Sequence, residues 1–236
     1  MTEQERIEII EKAKIFFQKN IIDKHVINTK KIADIDKLNI NPFTVKYLAN
    51  FAFGDGTPQN IAKALLLPRV LGTSISTTFG NQLQFFCSEV LPSFASTTSG
   101  IDIEFVDTFD GRKKYCQVKS GPTTINHDDV TTIKNHFRDI RNIARTNRIT
   151  DFNPAIDCIV GVFYGERRKL SAAYKKIDED YRVYIGKEFW HRLTGDEMFY
   201  YELIDAFADI AIESDGREII EDVLGKLTEE IERLNI

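Results

Sequence analysis

Residues 101–119, "IDIEFVDTFDGRKKYCQVK", decide the fold. Two runs of alternating apolar and polar residues flank Asp110-Gly111, and Asp-Gly favours a two-residue hairpin turn. With that turn Phe109 faces Arg112, Ile103 falls opposite Val118 and Phe105 opposite Cys116, which makes one face apolar. On the other face Asp102 falls opposite Lys119 and Glu104 opposite Gln117, with opposed Cβ atoms about 4.5–5.5 Å apart. The second strand, "YCQVKSG" (115–121), therefore brings an amide and an ammonium to the face that carries two carboxylates. One reading of this cluster is a cross-strand ion pair on a solvated face, worth under about 1 kcal/mol. The other is a hydrolytic site. Carboxylate oxygens hold a hard cation such as Mg2+, which polarises a phosphate and lowers the pKa of a water. The lysine orients that water and offsets charge in the transition state.

Outward from the hairpin the chain alternates between helical and extended patterns. Residues 4–19 have a helical period, a short helix opens near Pro42, and Thr57-Pro58 starts another that runs to about Leu67. Residues 76–91 form a helix with Phe79, Leu83, Phe86 and Val90 on one stripe, closed by Pro92. Glu89 lies in its last turn. A long helix is expected over 128–147. The apolar run 155–165 is expected to be a central strand buried on both faces, and 181–186 a further strand. "KEFWHRL" opens a helix, and the tail from about 197 is helical with a break near "ESDGRE". This order gives an α/β fold with a mixed central sheet flanked by helices. The expected divisions are a helical region over 1–72, a core over 73–195 and an acidic helical region over 196–236.

The chain has 236 residues and a formal net charge of −5, but the charge is unevenly placed. Residues 111–148 hold nine Lys or Arg against three Asp or Glu, whereas residues 195–236 hold three against thirteen. A basic middle and an acidic tail suggest that one face meets a polyanion. Within the helix 128–147, Lys134, Arg138, Arg141, Arg145 and Arg148 step by four, three, four and three beside the apolar stripe Val130, Ile133, Phe137, Ile140 and Ala144. Phosphate backbone suits such a stripe. Thr123, Thr124, Asn126 and His127, in the loop before it, are candidates for hydrogen bonds to phosphate or base edges.

Other chemistries find little support. The three cysteines are scattered, which argues for a reducing compartment and against a disulfide framework or zinc site. The four histidines show no metal-ligand spacing. "FGDGTP" (53–58) lacks the GK[ST] ending of a phosphate loop, and there is no GxSxG. A glycosidase pair made of Asp102 and Glu104 leaves Lys119 and the basic stripe unexplained. Cys116 is expected in the core, and Tyr164 and Trp190 in packing rather than base stacking. The N-terminus is charged from residue 3, unlike a secretory signal, and no apolar run approaches the roughly 20 residues that span a bilayer.

The pattern "SGID…(14 residues)…QVKSG" resembles the PD-(D/E)XK nuclease superfamily. More specifically, "INPF" (40–43), the "FG…SEVLP" helix (79–92), "VGVFYG" (160–165) and "VYIGKEFW" (183–190) are similar to type II restriction endonucleases that cut palindromes with a GG-N-CC core. The resemblance implies a PD-(D/E)XK-like core with helical N- and C-terminal extensions. It also implies a Mg2+-dependent, homodimeric enzyme of the bacterial cytoplasm that leaves 5′-phosphate and 3′-hydroxyl ends on double-stranded DNA. Asp102 matches the motif aspartate and Lys119 the motif lysine, while Gln117 stands where the pattern carries an acid. Glu89 is the first candidate to supply the missing charge at the metal, and Glu104 the second. A palindrome calls for a two-fold dimer. Ile220, Leu224, Leu227, Ile231 and Leu234 are either its seam or a stripe packed on the chain's own core. The rival readings are a structure-selective or repair nuclease of the same superfamily, and a DNA-binding protein whose site has fallen silent.

Overall fold

The computed structural model describes residues 2–91 and 94–234. Pro92, the expected helix stop, lies outside the described residues. The chain divides into two compact units, residues 1–16 with 82–207 and residues 17–81 with 208–236.

The first unit is built on a four-stranded sheet in the order β1 (Ile103–Val106), β2 (Lys113–Lys119), β3 (Cys158–Val162), β4 (Arg182–Ile185). β1 and β2 are antiparallel, and the other neighbours are parallel. All five residues of β3 are buried, as expected for a central strand. The strand is shorter than the apolar run. Asn153 accepts a hydrogen bond from the Ala155 N–H and Pro154 opens a single helical turn, α7 (Pro154–Asp157), so extended structure begins only at Cys158.

The long helix, α6 (His127–Thr146), packs on one sheet face with Val130, Ile133, Phe137 and Ile140 against Cys158, Val160 and Val162. The opposite face is covered in part by α9 (Lys187–Thr194), whose Phe189 ring lies where any side chain at Gly161 would have to go. Trp190 is buried there as expected, and its Nε1 donates to the Phe163 carbonyl. Tyr164 instead stays partly exposed beside Gly121.

The hairpin departs from expectation in its register. Ile103 pairs with Cys116 and Val106 with Lys113, two residues away from the pairing a tight Asp-Gly turn would give. The turn spans residues 107–112, closed by Asp107 N–H to the Arg112 carbonyl and Gly111 N–H to the Asp107 carbonyl. Lys114 is the cause on the strand side. It is fully buried, with Nζ 2.6 Å from Asp110 and close to Asp107 and Asp157. Arg112 closes on both oxygens of Asp157, and Arg192 on Asp107. These ion pairs tie the turn to α7 and α9, because a buried charge is tolerable only when its partners are at hand.

The second unit is helical. It contains α2 (Asp23–Lys31), α3 (Pro42–Phe53), α4 (Pro58–Pro68) and α11 (Arg217–Leu234). Val223, Leu227 and Ile231 of α11 are buried with Val45, Ala49, Ile61 and Leu66, and Ile220 and Leu224 pack at the margin. Of the two readings of the tail stripe, packing on the chain's own core is the one seen within this unit: only Leu234 of the five is exposed.

Candidate active site

The two-residue shift changes the site's pairings and leaves its faces intact, because side chains alternate with a period of two. By the observed count Asp102 falls opposite Gln117 rather than Lys119, and Glu104 opposite Tyr115. Gln117 and Lys119 share the α6 face of β2, in register with Val160 and Val162 of β3.

Asp102 precedes β1 and is held by the next strand. Its N–H donates to the Cys116 carbonyl at 3.1 Å, and its Oδ2 accepts from the Val118 N–H at 2.7 Å. Burial pushes its carboxyl pKa up, against the opposing pull of that N–H and of the nearby Lys119 ammonium. Lys119 makes no ion pair among the described residues, so its charge bears on Asp102 without closing on it. Gln117 is buried. Its Nε2 donates to the Gly100 carbonyl and lies 2.6 Å from His136 Nδ1. No hydrogen bond among the described residues engages Asp102 Oδ1 or Gln117 Oε1.

The expected auxiliary acids do not gather there. Glu104 accepts from Ser96 Oγ at 2.5 Å and Thr98 Oγ1 at 2.8 Å and pairs with Lys113 at 2.6 Å. Burial would raise its pKa, but these donors outweigh it and hold the carboxyl below its usual range. Glu89 is exposed at the end of α5 (Ile75–Val90). Among the described residues no three His, Cys, Asp or Glu side chains converge on a common metal position. Asp102 Oδ1 and Gln117 Oε1 are both hard oxygen donors, the type that suits a hard cation keeping several of its waters.

α6 presents two different flanks. At 100° per residue, His136 and Arg138 point to opposite sides of the helix. His136 faces Gln117, whereas Lys134 pairs with Asp180 at 2.5 Å, just before β4. Lys134, Arg138 and Arg141 line a groove of about 410 Å³ with His127, Lys176 and Tyr181. Arg145 is exposed further along the helix. Asn126 is the N-cap of α6: its Oδ1 accepts from the N–H groups of Asp128 and Asp129, and Asp129 returns a bond to its N–H. Thr124 Oγ1 donates to the Gly121 carbonyl at 2.9 Å, and Thr123 and His127 are exposed.

His136 and Gly100 escaped the sequence reading. A helical wheel puts His136 on the flank away from the basic stripe, but nothing in the spacing says that it meets Gln117. Gly100 has φ +78°, and a Cβ there would lie 2.5 Å from the His136 ring.

The family model described as "Type II restriction endonuclease EcoO109I" matches residues 7–215. No curated protein matches the chain.

Proposed function

Because this chain belongs to the type II restriction endonuclease EcoO109I family, we propose that Asp102, Gln117 and Lys119 form its cleavage site. The enzyme is a site-specific deoxyribonuclease that hydrolyses phosphodiester bonds. Enzymes of this kind use divalent cations, and we assign Mg2+ to this one. The carrying observation is the pair of uncommitted oxygens on Asp102 and Gln117, with the Lys119 ammonium on the same sheet face.

A cation held there supplies a Lewis acid that polarises the phosphate and acidifies water. Asp102 offers Oδ1 and one formal charge, while its Oδ2 stays anchored on the Val118 N–H. Gln117 offers a neutral amide oxygen. Lys119, which pairs with no carboxylate among the described residues, orients the attacking water and offsets charge that builds on the phosphate oxygens. The exposed loop residues Thr123, Thr124, Asn126 and His127 and the flank Lys134, Arg138, Arg141 and Arg145 hold the duplex, chiefly through its backbone.

The substrate we assign is a palindrome with a GG-N-CC core, cut by a two-fold dimer. α3 supports the dimer: Phe43 is 91% exposed and Phe51 77%, with Tyr47 between them, while Val45 and Ala49 of the same helix are buried. An aromatic face of this kind calls for a partner. Plasmid DNA incubated with the protein and Mg2+, beside a Lys119→Ala variant, tests the whole reading. Discrete fragments, lost in the variant, are expected. Smears or cutting confined to junctions would favour a structure-selective nuclease, and tight binding without cleavage in Mg2+ or Mn2+ would leave a silent DNA-binding protein.

A further inference from the structure

Gln117 occupies the position where the motif pattern carries an acid, and its surroundings say why an amide is tolerated there. The Gly100 carbonyl faces the end of the side chain. A carbonyl oxygen can only accept, so it selects the amide nitrogen of Gln117 and would oppose a carboxylate. An amide has two N–H groups. The first is taken by Gly100, and the second points to His136 Nδ1, 2.6 Å away. Both hydrogens committed on one side leave Oε1 as the only atom of the group with lone pairs to offer.

This orientation matters for a ligand. A cation is bound by the amide oxygen and repelled by the amide NH2, so a Gln flipped by 180° contributes nothing. A carboxylate has no such requirement, because its two oxygens are equivalent. A site that replaces the acid by an amide therefore needs something to fix the amide. His136 is placed to do so. It is partly buried on α6, and the absence of a side chain at Gly100 is what lets its ring approach.

We propose that His136 is a positioning residue of the cleavage site, which accepts from Gln117 Nε2 and thereby keeps Gln117 Oε1 available to the cation. The inference rests on the reading of Asp102 and Gln117 as the cation's ligands. Second-sphere partners of this type are typically worth about 10–100-fold in metal affinity.

The test is a titration of the metal-free protein with Mn2+, with the free ion counted by electron paramagnetic resonance. His136→Phe keeps an aromatic ring and removes the acceptor. His136→Asn puts a carbonyl oxygen close to where Nδ1 stood. A loss of at least about tenfold in Mn2+ affinity is expected for the Phe variant, with recovery to within about threefold in the Asn variant. Affinity for plasmid DNA without metal should stay within about twofold in both. Equal Mn2+ affinity in unmodified and Phe proteins overturns the proposal, as does an Asn variant no better than Phe. If the Phe variant fails to fold, 15N spectroscopy of the unmodified protein at neutral pH decides. A bare Nδ1 with a protonated Nε2 on His136 supports the proposal, and a protonated Nδ1 overturns it. Mn2+ binding that Asp102→Ala leaves untouched would bring down the underlying site assignment, and this inference with it.

Discussion

Asp102 sits where burial opposes its charge, and the fold carries the cost at the position proposed as a cation ligand. Its folded-state pKa is raised. Between the unfolded and folded values the native protein keeps a proton that the unfolded chain has released. The carboxyl's contribution is therefore best below the unfolded value and is lost as pH rises through the folded one. Asp102→Asn keeps an oxygen for the Val118 N–H. It is expected to melt higher than the unmodified protein at pH 7, by about 2–4 °C per kcal/mol gained, with the gap closing below about pH 4. The same variant should lose cleavage by at least about 100-fold in a plasmid assay. Gln117→Glu is expected to go the other way from what the motif suggests. Setting a carboxylate against the Gly100 carbonyl should destabilise by about 1–3 kcal/mol, read from urea denaturation at pH 7. The sequence puts Gln117 and Lys119 on one face of their strand, since alternation in a strand is a local property. It could not show the Gly100–Gln117–His136 chain, which needs the tertiary placement of α6.

At the scale of elements, what was legible follows the same line between local and distant causes. The buried stripe of α6 and the burial of β3 on both faces are written in periodicity. The hairpin register is not, because the longer turn is held by Lys114, Asp107 and Asp157, partners that belong to different segments. For the same reason an apolar run beginning at Ala155 did not reveal that its first residues form a helical turn. Gly161 is a strand residue whose role is equally invisible in sequence. Its missing Cβ makes room for the Phe189 ring, so β3 and α9 meet directly. Gly161→Ala should cost about 1–3 kcal/mol in urea denaturation by forcing the two apart. The loss should leave metal-free DNA affinity unchanged in whatever fraction remains folded.

The basic flank lies on α6 within the first unit, and the acidic residues from 208 onwards belong to the second. Phosphate contacts release counterions, so each basic residue that touches the backbone adds about one to the slope of log affinity against log salt. The triple variant Arg138→Ala, Arg141→Ala, Arg145→Ala should lower that slope by about three in a metal-free binding assay. An unchanged slope would remove this flank from the DNA interface. The exposed side of α3 belongs to the same scale. Phe51→Asp should shift the protein from dimer to monomer in sedimentation equilibrium without disturbing the protomer's own core, to which this exposed side chain does not belong.

The division of the chain into two discontinuous units also orders its synthesis. Residues 17–81 leave the ribosome before any strand of the sheet, yet their core takes Val223, Leu227 and Ile231 from α11. The helical unit is begun early and closes late. While β1 to β4 are being made and paired, Val45, Ile61 and Leu66 wait for a helix not yet translated. Through that interval the nascent chain carries a half-built apolar surface. Chaperone capture, or an α11 borrowed from a neighbouring copy, would act there.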